Sequence, residues 1–313
     1  MKLPDKPKSK LITYVLGGLG VLGVGIALFA ANTQTTAASP SSTVATAVTA
    51  ATSSGIKAAK WGKNVTVTYS ATKVRLQSNG IPNHSRPAKF AIPKSRDSVS
   101  IEKDPTKAQS DDFSIPLQPT WSSSTTAAPK GSIGMMISGA VLYDPFENGG
   151  VTVALADNFY RTDTDGTKVW FIDTCSGHPS PPGEYHYHAL PGCVASQVDS
   201  AAGPSHIIGL ALDGYPIYGR RDIRGKTVSL AALDKCNGIK SPTPEFPKGI
   251  YHYVLTSAKT AQSSIRCFHG KVDSSQVKAM PTMGAILPLG QITIGSRLVS
   301  GVGHGLTRLF CRL

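Results

Sequence analysis

Eight histidines occur in the 313-residue chain, and four of them, His178, His186, His188 and His206, crowd into one stretch. In Tyr185-His186-Tyr187-His188 the residue types alternate. On a strand, successive side chains point to opposite faces, so both imidazoles share one face and both phenols the other. Two such imidazoles, about 7 Å apart along the backbone, can converge on one ion. His178 follows a Cys-Ser-Gly turn and is placed to give a third ligand, with His206 completing the set. His84 and His252 are further candidates. Imidazole suits copper and zinc alike, so the expected cofactor is one of those two metals.

The same residues admit other chemistry. Tyrosines and histidines under Pro/Gly loops can form a buried hydrogen-bond network with no ion. Cys175, His178, His186 and Cys193 could hold a structural zinc. Glu184, beside His186, is the candidate general base for a metal-dependent hydrolase or oxidase acting through bound water. Asp173 and Asp213 are the other carboxylates nearby, and Asp213 in Leu-Asp-Gly-Tyr-Pro reads as a turn residue. No Gly-x-Ser-x-Gly elbow, HExxH or P-loop occurs, so no named enzyme chemistry has its motif.

The elements that must position these side chains are duplicated. Gly134–Asp144 parallels Gly209–Gly219, each an apolar strand, a Gly and a second apolar run ending in Tyr. A Cys-x-Gly turn follows in each copy, at Cys175 and Cys236. A Pro-rich loop then leads into a Tyr/His strand ending at His188 or Tyr253, and a cysteine closes each copy. The simplest pairing is Cys175–Cys193 and Cys236–Cys267, although four cysteines allow three connectivities. The second copy has Ile239 and Val254 where the first has His178 and His188, so a complete ligand set belongs to the first copy alone.

Period-two alternation predicts strands at Val65–Ser70 and Lys73–Gln77. Further strands are expected at Met135–Tyr143, Val151–Leu155, Lys168–Ile172, His206–Leu212, Ile250–Leu255 and Gln291–Ile294. A short helix is expected over Val228–Asp234, capped by Thr227 or Ser229. With 31 Gly, 22 Pro and no sustained helical period, the fold class is all-β, a disulfide-stapled β-rich domain with an internal pseudo-repeat.

Thirty-two Lys and Arg against 19 Asp and Glu give a formal charge of +13. The basic residues are scattered apart from Lys2, Lys6, Lys8 and Lys10, and no basic helix or RNA-binding signature occurs, so nucleic acid is not an expected partner. Those four lysines precede an uncharged run from Leu11 to Ala30, long enough to span a bilayer as one N-terminal hydrophobic helix. By the positive-inside rule the chain beyond this run is exported, tethered if residues 1–31 are a membrane anchor and secreted or periplasmic if they are a cleaved signal peptide. Residues 32–56, rich in Ser, Thr and Ala, read as a flexible linker, 57–270 as the folded domain and 271–313 as an unassigned extension. Asn64 and Asn83 lie in glycosylation sequons. The basic charge and Tyr/Pro-rich loops also fit a surface module that binds wall polymer or glycan.

Taken together, SNGIPNH (Ser78–His84), DTCSGHP (Asp173–Pro179), EYHYH (Glu184–His188), LDGYPIYG (Leu212–Gly219) and CNGIKSPTPEFPKGIYHY from Cys236 resemble the YHYH-domain family. The resemblance runs from about Trp61 to Gly270. It implies an exported β-rich domain without an assigned activity, named for the tetrapeptide that is Tyr185–His188 here.

Overall fold

The computed structural model describes residues 52–277 apart from 96–97, 148–149, 151 and 156–159. Short strands between Gly and Pro turns make up nearly all of its regular structure. In chain order they are β1 (Val65–Tyr69), β2 (Lys73–Ser78), β3 (Lys89–Ser95), β4 (Ser98–Lys103), β5 (Asp111–Pro116), β6 (Thr126–Ala127), β7 (Gly134–Met136), β8 (Val141–Leu142), β9 (Phe146–Glu147), β10 (Thr152–Val153), β11 (Tyr160–Thr162), β12 (Lys168–Trp170), β13 (Gly177–Pro179), β14 (Tyr185–Tyr187), β15 (Ile207–Ala211), β16 (Pro216–Tyr218), β17 (Gly238–Ser241), β18 (Ile250–Val254) and β19 (Cys267–Phe268). Among the described residues α-helix is confined to residues 52–57 and to the single turn Gly192–Ala195, with 3-10 turns at Leu230–Ala232, Ala261–Ser263 and Ser274–Gln276.

Eight strands form the principal sheet, in the order β13-β14-β8-β7-β15-β16-β18-β17. The duplication in the sequence is its architecture. Each half is a pair of antiparallel hairpins, β7–β8 with β13–β14 and β15–β16 with β17–β18, and within each half the hairpins join through parallel strands. The halves meet at β7 and β15, where Gly134 pairs with Ala211, Met135 with Leu210 and Met136 with Gly209. Aligning Gly134 with Gly209 makes this pairing its own mirror, so a local two-fold axis passes between Met135 and Leu210. The flanking bonds repeat it, with Ile137 N donating to Ile208 O (2.8 Å) and Leu212 N to Ile133 O (3.0 Å). The turns also correspond, with left-handed glycines at Gly139 (φ +89°) and Gly214 (φ +91°).

The central strands are buried on both faces, and the loops and smaller sheets cover them. One cover is the antiparallel sheet β1-β2-β5, whose alternation sends Val74, Leu76, Phe113 and Ile115 inward. Lys73, Arg75 and Asp112 face out on the same strands. Each fully buried apolar side chain of this kind contributes about 1.5–3 kcal/mol.

Local differences from the sequence reading have physical causes. The single strand expected over Met135–Tyr143 is a hairpin, because Gly139 turns the chain between β7 and β8. The helix expected over Val228–Asp234 is one 3-10 turn, Leu230–Ala232, whose first bond is Ser229 Oγ accepting from Ala231 N (3.3 Å). Residues 52–56, read as the end of the linker, are helical, and Ile56 is buried. Among the described residues no helix is long and apolar enough to cross a membrane. The apolar run 11–30 and the strand expected at Gln291–Ile294 lie outside the described residues.

Candidate metal centre

The turn before β13 aims the first histidine. Asp173 Oδ1 accepts from the backbone nitrogens of Cys175 (2.8 Å) and Gly177 (3.2 Å), while its Oδ2 accepts from the Tyr185 hydroxyl (2.7 Å). Tyr185 lies directly over Gly177, where a Cβ would collide with its ring. Ser176, at φ +61°, completes the tight turn. The chain then pairs β13 against β14 so that His178 stands opposite His186. The second half repeats the device. Asp234 Oδ1 accepts from Cys236 N (2.8 Å) and Gly238 N (3.0 Å), Oδ2 accepts from Tyr251 (2.9 Å), and Asn237 takes φ +70°.

On β14 the alternation is complete. Tyr185 and Tyr187 turn to one face, where the Tyr187 hydroxyl meets Ser138 Oγ (2.9 Å) and His84 Nε2 (2.7 Å). His186 and His188 turn to the other and join His178. The three Nε2 atoms converge on one carboxylate oxygen, Glu147 Oε1 from β9, at 2.9 Å from His178, 3.9 Å from His186 and 2.6 Å from His188. His178 Nε2 and His188 Nε2 are 3.3 Å apart. That matches the separation of about 3.3 Å between two imidazole nitrogens on one tetrahedral ion with bonds of about 2.0–2.1 Å. All four ligand atoms lie within 4.8 Å of one another.

Two rings are held in the tautomer a metal requires. His186 Nδ1 donates to the Glu184 carbonyl (3.1 Å) and His188 Nδ1 to the Asp144 carbonyl (2.6 Å), which leaves each Nε2 to face the cluster. His186 Nε2 is buried and has no hydrogen-bond partner. Tyr143 stacks on the His186 ring at 4.0 Å and donates its hydroxyl to Glu184 Oε2 (2.6 Å), and Phe171 packs on His178 at 4.0 Å.

Charge and burial compete here. Burial alone would raise the Glu147 carboxyl, but the close approach of the His178, His186 and His188 rings holds it well below the usual range. Burial lowers His178, with Glu147 only partly opposing it, and lowers His186 to about 4. For His188 burial is outweighed by the Glu147 hydrogen bond and charge and by the Asp144 carbonyl, and the ring is raised. A carboxylate oxygen and three imidazole nitrogens gathered this closely are a donor set that could hold a metal ion.

The structure therefore brings together His178, His186 and His188 and adds Glu147, which the sequence reading missed. His206 stands apart, its Nδ1 at 2.7 Å from Glu245 Oε1, because β15 lies across the two-fold axis from β14. Glu184 contributes its carbonyl to His186 and its carboxylate to Tyr143. His252 occupies the His186 position of the second half, with Nδ1 donating to Ile250 O (3.1 Å), and Ile239 and Val254 replace the other rings. The disulfides are Cys175–Cys193 and Cys236–Cys267. Cys175 and Cys193, bonded to each other, offer no thiolate to a zinc shared with His178 and His186.

The tetrapeptide whose faces divide in this way lies inside a match to the family model described as YHYH protein, which covers residues 112–228 and 222–270, just over half of the chain. The chain belongs to the YHYH family. The boundary between the two matched segments falls within the second copy of the repeat. The YHYH match therefore covers Glu147, the three clustered histidines and both disulfides. No curated protein and no solved structure matches the chain.

Proposed function

We propose that this YHYH protein binds one transition-metal ion, copper or zinc, through Glu147, His178, His186 and His188. The observation that carries the reading is the convergence of three buried Nε2 atoms and one carboxylate oxygen within 4.8 Å, with two rings fixed in the metal-binding tautomer. Three neutral nitrogens and one carboxylate suit a borderline divalent ion. The folded domain works outside the cytoplasm, tethered or released. This part of the reading is supported by the lysines that precede the apolar run 11–30 and by the cysteine pairs, which suit an oxidising compartment.

Elemental analysis of the purified protein tests it. Wild type is expected to hold about one equivalent of copper or zinc, the variant His186→Ala/His188→Ala none, and Glu147→Gln to bind at least tenfold more weakly. Equal metal content in wild type and the double variant would sink the proposal.

A second reading, binding of wall polymer or glycan, is favoured by one surface feature. A cleft of about 560 Å³ is lined by Lys89, Asp163, Lys168, Trp170 and Thr174. Trp170 is 37% exposed and packs on Tyr160 at 4.8 Å. Polymer binding that persists in chelator and is lost in Trp170→Ala would establish it, and retention by Trp170→Ala would remove it.

A further inference from the structure

The face of β14 opposite the histidine cluster carries a second set of ligand atoms. His84 Nδ1 donates to the Ser85 carbonyl (2.9 Å), so its Nε2 carries the lone pair. That nitrogen lies 3.5 Å from Cys175 Sγ, and both sulfurs of the Cys175–Cys193 disulfide fall with it in a group spanning no more than 4.8 Å. On one tetrahedral ion, with metal–sulfur bonds of about 2.3 Å and metal–nitrogen bonds of about 2.0–2.1 Å, a thiolate and an imidazole nitrogen stand about 3.6 Å apart. The ring is thus already at ligand spacing from Cys175, and the two sulfurs must part by about 1.7 Å to reach the spacing of two thiolates on such an ion.

We propose that Cys175, Cys193 and His84 form a redox-gated site for a soft metal ion, Zn(II) or Cu(I), closed as the disulfide and opened by a dithiol reductant. The reductant's thiolate attacks Cys193 Sγ, the S–S bond breaks and Cys175 leaves as thiolate. The reductant's second thiol then displaces Cys193, so the dithiol ends as its own disulfide and both cysteines as thiols. The ion binds the pair with release of two protons. Cys193 is half-buried on the Gly192–Ala195 turn, and His84 is half-buried too, so the attack has a path. The Tyr187 hydroxyl, now bonded to His84 Nε2, has Ser138 Oγ as its remaining partner once the nitrogen is taken.

The second half lacks this opening. Its disulfide is buried at both ends, with Cys236 at 0% and Cys267 at 8% exposure. Facing Cys236 are His269 and the Asp234 carboxylate, 3.2 Å apart, and Trp121 stacks over the His269 ring at 3.9 Å.

The test uses the full chain with its fifth cysteine, Cys311 near the C-terminal end of the sequence, changed to serine (Cys311→Ser), and a limiting dithiol, with alkylation mapping to show which cysteines open. Cobalt(II) is then titrated into oxidised and reduced protein. Opening of Cys175–Cys193 is expected to add about one equivalent of Co(II) with a sulfur-to-metal charge-transfer band. Cys175→Ser/Cys193→Ser should abolish the band, and His84→Ala should weaken binding at least tenfold. In His178→Ala/His186→Ala/His188→Ala the band should persist, which separates this site from the histidine cluster. Free thiols at 175 and 193 without added cobalt would overturn the proposal, as would unchanged affinity in His84→Ala or loss of the fold on opening that disulfide.

Discussion

Tyr143 touches the candidate centre without offering it a ligand atom. Its ring lies on His186 and its hydroxyl is anchored on Glu184, so it fixes the plane in which His186 Nε2 points. Tyr143→Phe keeps the stacking and should change metal affinity by less than about threefold, whereas Tyr143→Ala frees the ring and should weaken it about 10–100-fold. Competition against a chromophoric chelator would measure both, and equal effects would show that the hydroxyl, not the ring, does the positioning. The histidines were legible in the sequence because strand alternation is local. Glu147 was not, since a single carboxylate 31 residues before His178, in Pro-Phe-Glu, carries no spacing signal. His206 misled for the opposite reason, being near in sequence and across the sheet in space.

His252 and Asp213 give the second half its own acid response. Burial lowers His252 to about 4, so between pH 6.5 and 4 the unfolded chain binds the extra proton and stability falls as pH falls, by up to about 3 kcal/mol. Burial raises Asp213 to about 6, against hydrogen bonds from Tyr253, Gly270 and Tyr215, so between about pH 4 and 6 the folded chain binds the extra proton and stability rises as pH falls. The two offset each other in wild type. In His252→Leu the His252 contribution is gone and the others remain, so variant-minus-wild-type stability should climb by about 3 kcal/mol from pH 6.5 to 4 in urea titrations. Parallel pH curves would show that His252 does not set the acid response.

At the scale of elements, the Asp-x-Cys-x-Gly turns and the tyrosines above them are the joints of both halves. Tyr185→Phe strips the buried Asp173 of its only side-chain donor among the described residues and should cost about 1–3 kcal/mol in chemical denaturation. Tyr251→Phe should cost less, because Asp234 is half-exposed and keeps His269 beside it. A larger loss in Tyr251→Phe would reverse this ranking of the joints. The turns were readable from sequence because Cys and Gly recur at fixed offsets, whereas the role of the Asp before each was not. The parallel pairing of β14 with β8 and of β18 with β16 was not, since it joins strands tens of residues apart with no local signature. Strands such as β9, β13 and β19 are too short for periodicity to reveal.

For the molecule as a whole, the two-fold relation turns one half into a control for the other. Counting from the paired tyrosines Tyr143 and Tyr218, Glu147 corresponds to Asp222. Asp222 spends its Oδ1 on the nitrogens of Arg224 and Lys226 in its own turn, both at 2.9 Å. Around it is a small hollow lined by Tyr218, Asp222, Thr243, His252 and Val254. Ile239→His/Val254→His should therefore create a second metal equivalent, weaker than the first because the carboxylate is already engaged. Calorimetric titration would count the sites, and a single equivalent in a variant that still melts cooperatively would refute the equivalence of the halves. The axis between Met135 and Leu210 also has a historical reading. Like residues meeting like across an antiparallel edge is the contact by which identical subunits pair. A half-length ancestor would have dimerised through the strand that is now β7 and β15. Fusion of two such copies into one chain would leave each half free to vary on its own, and the halves do differ at His178 and Ile239 and at His188 and Val254.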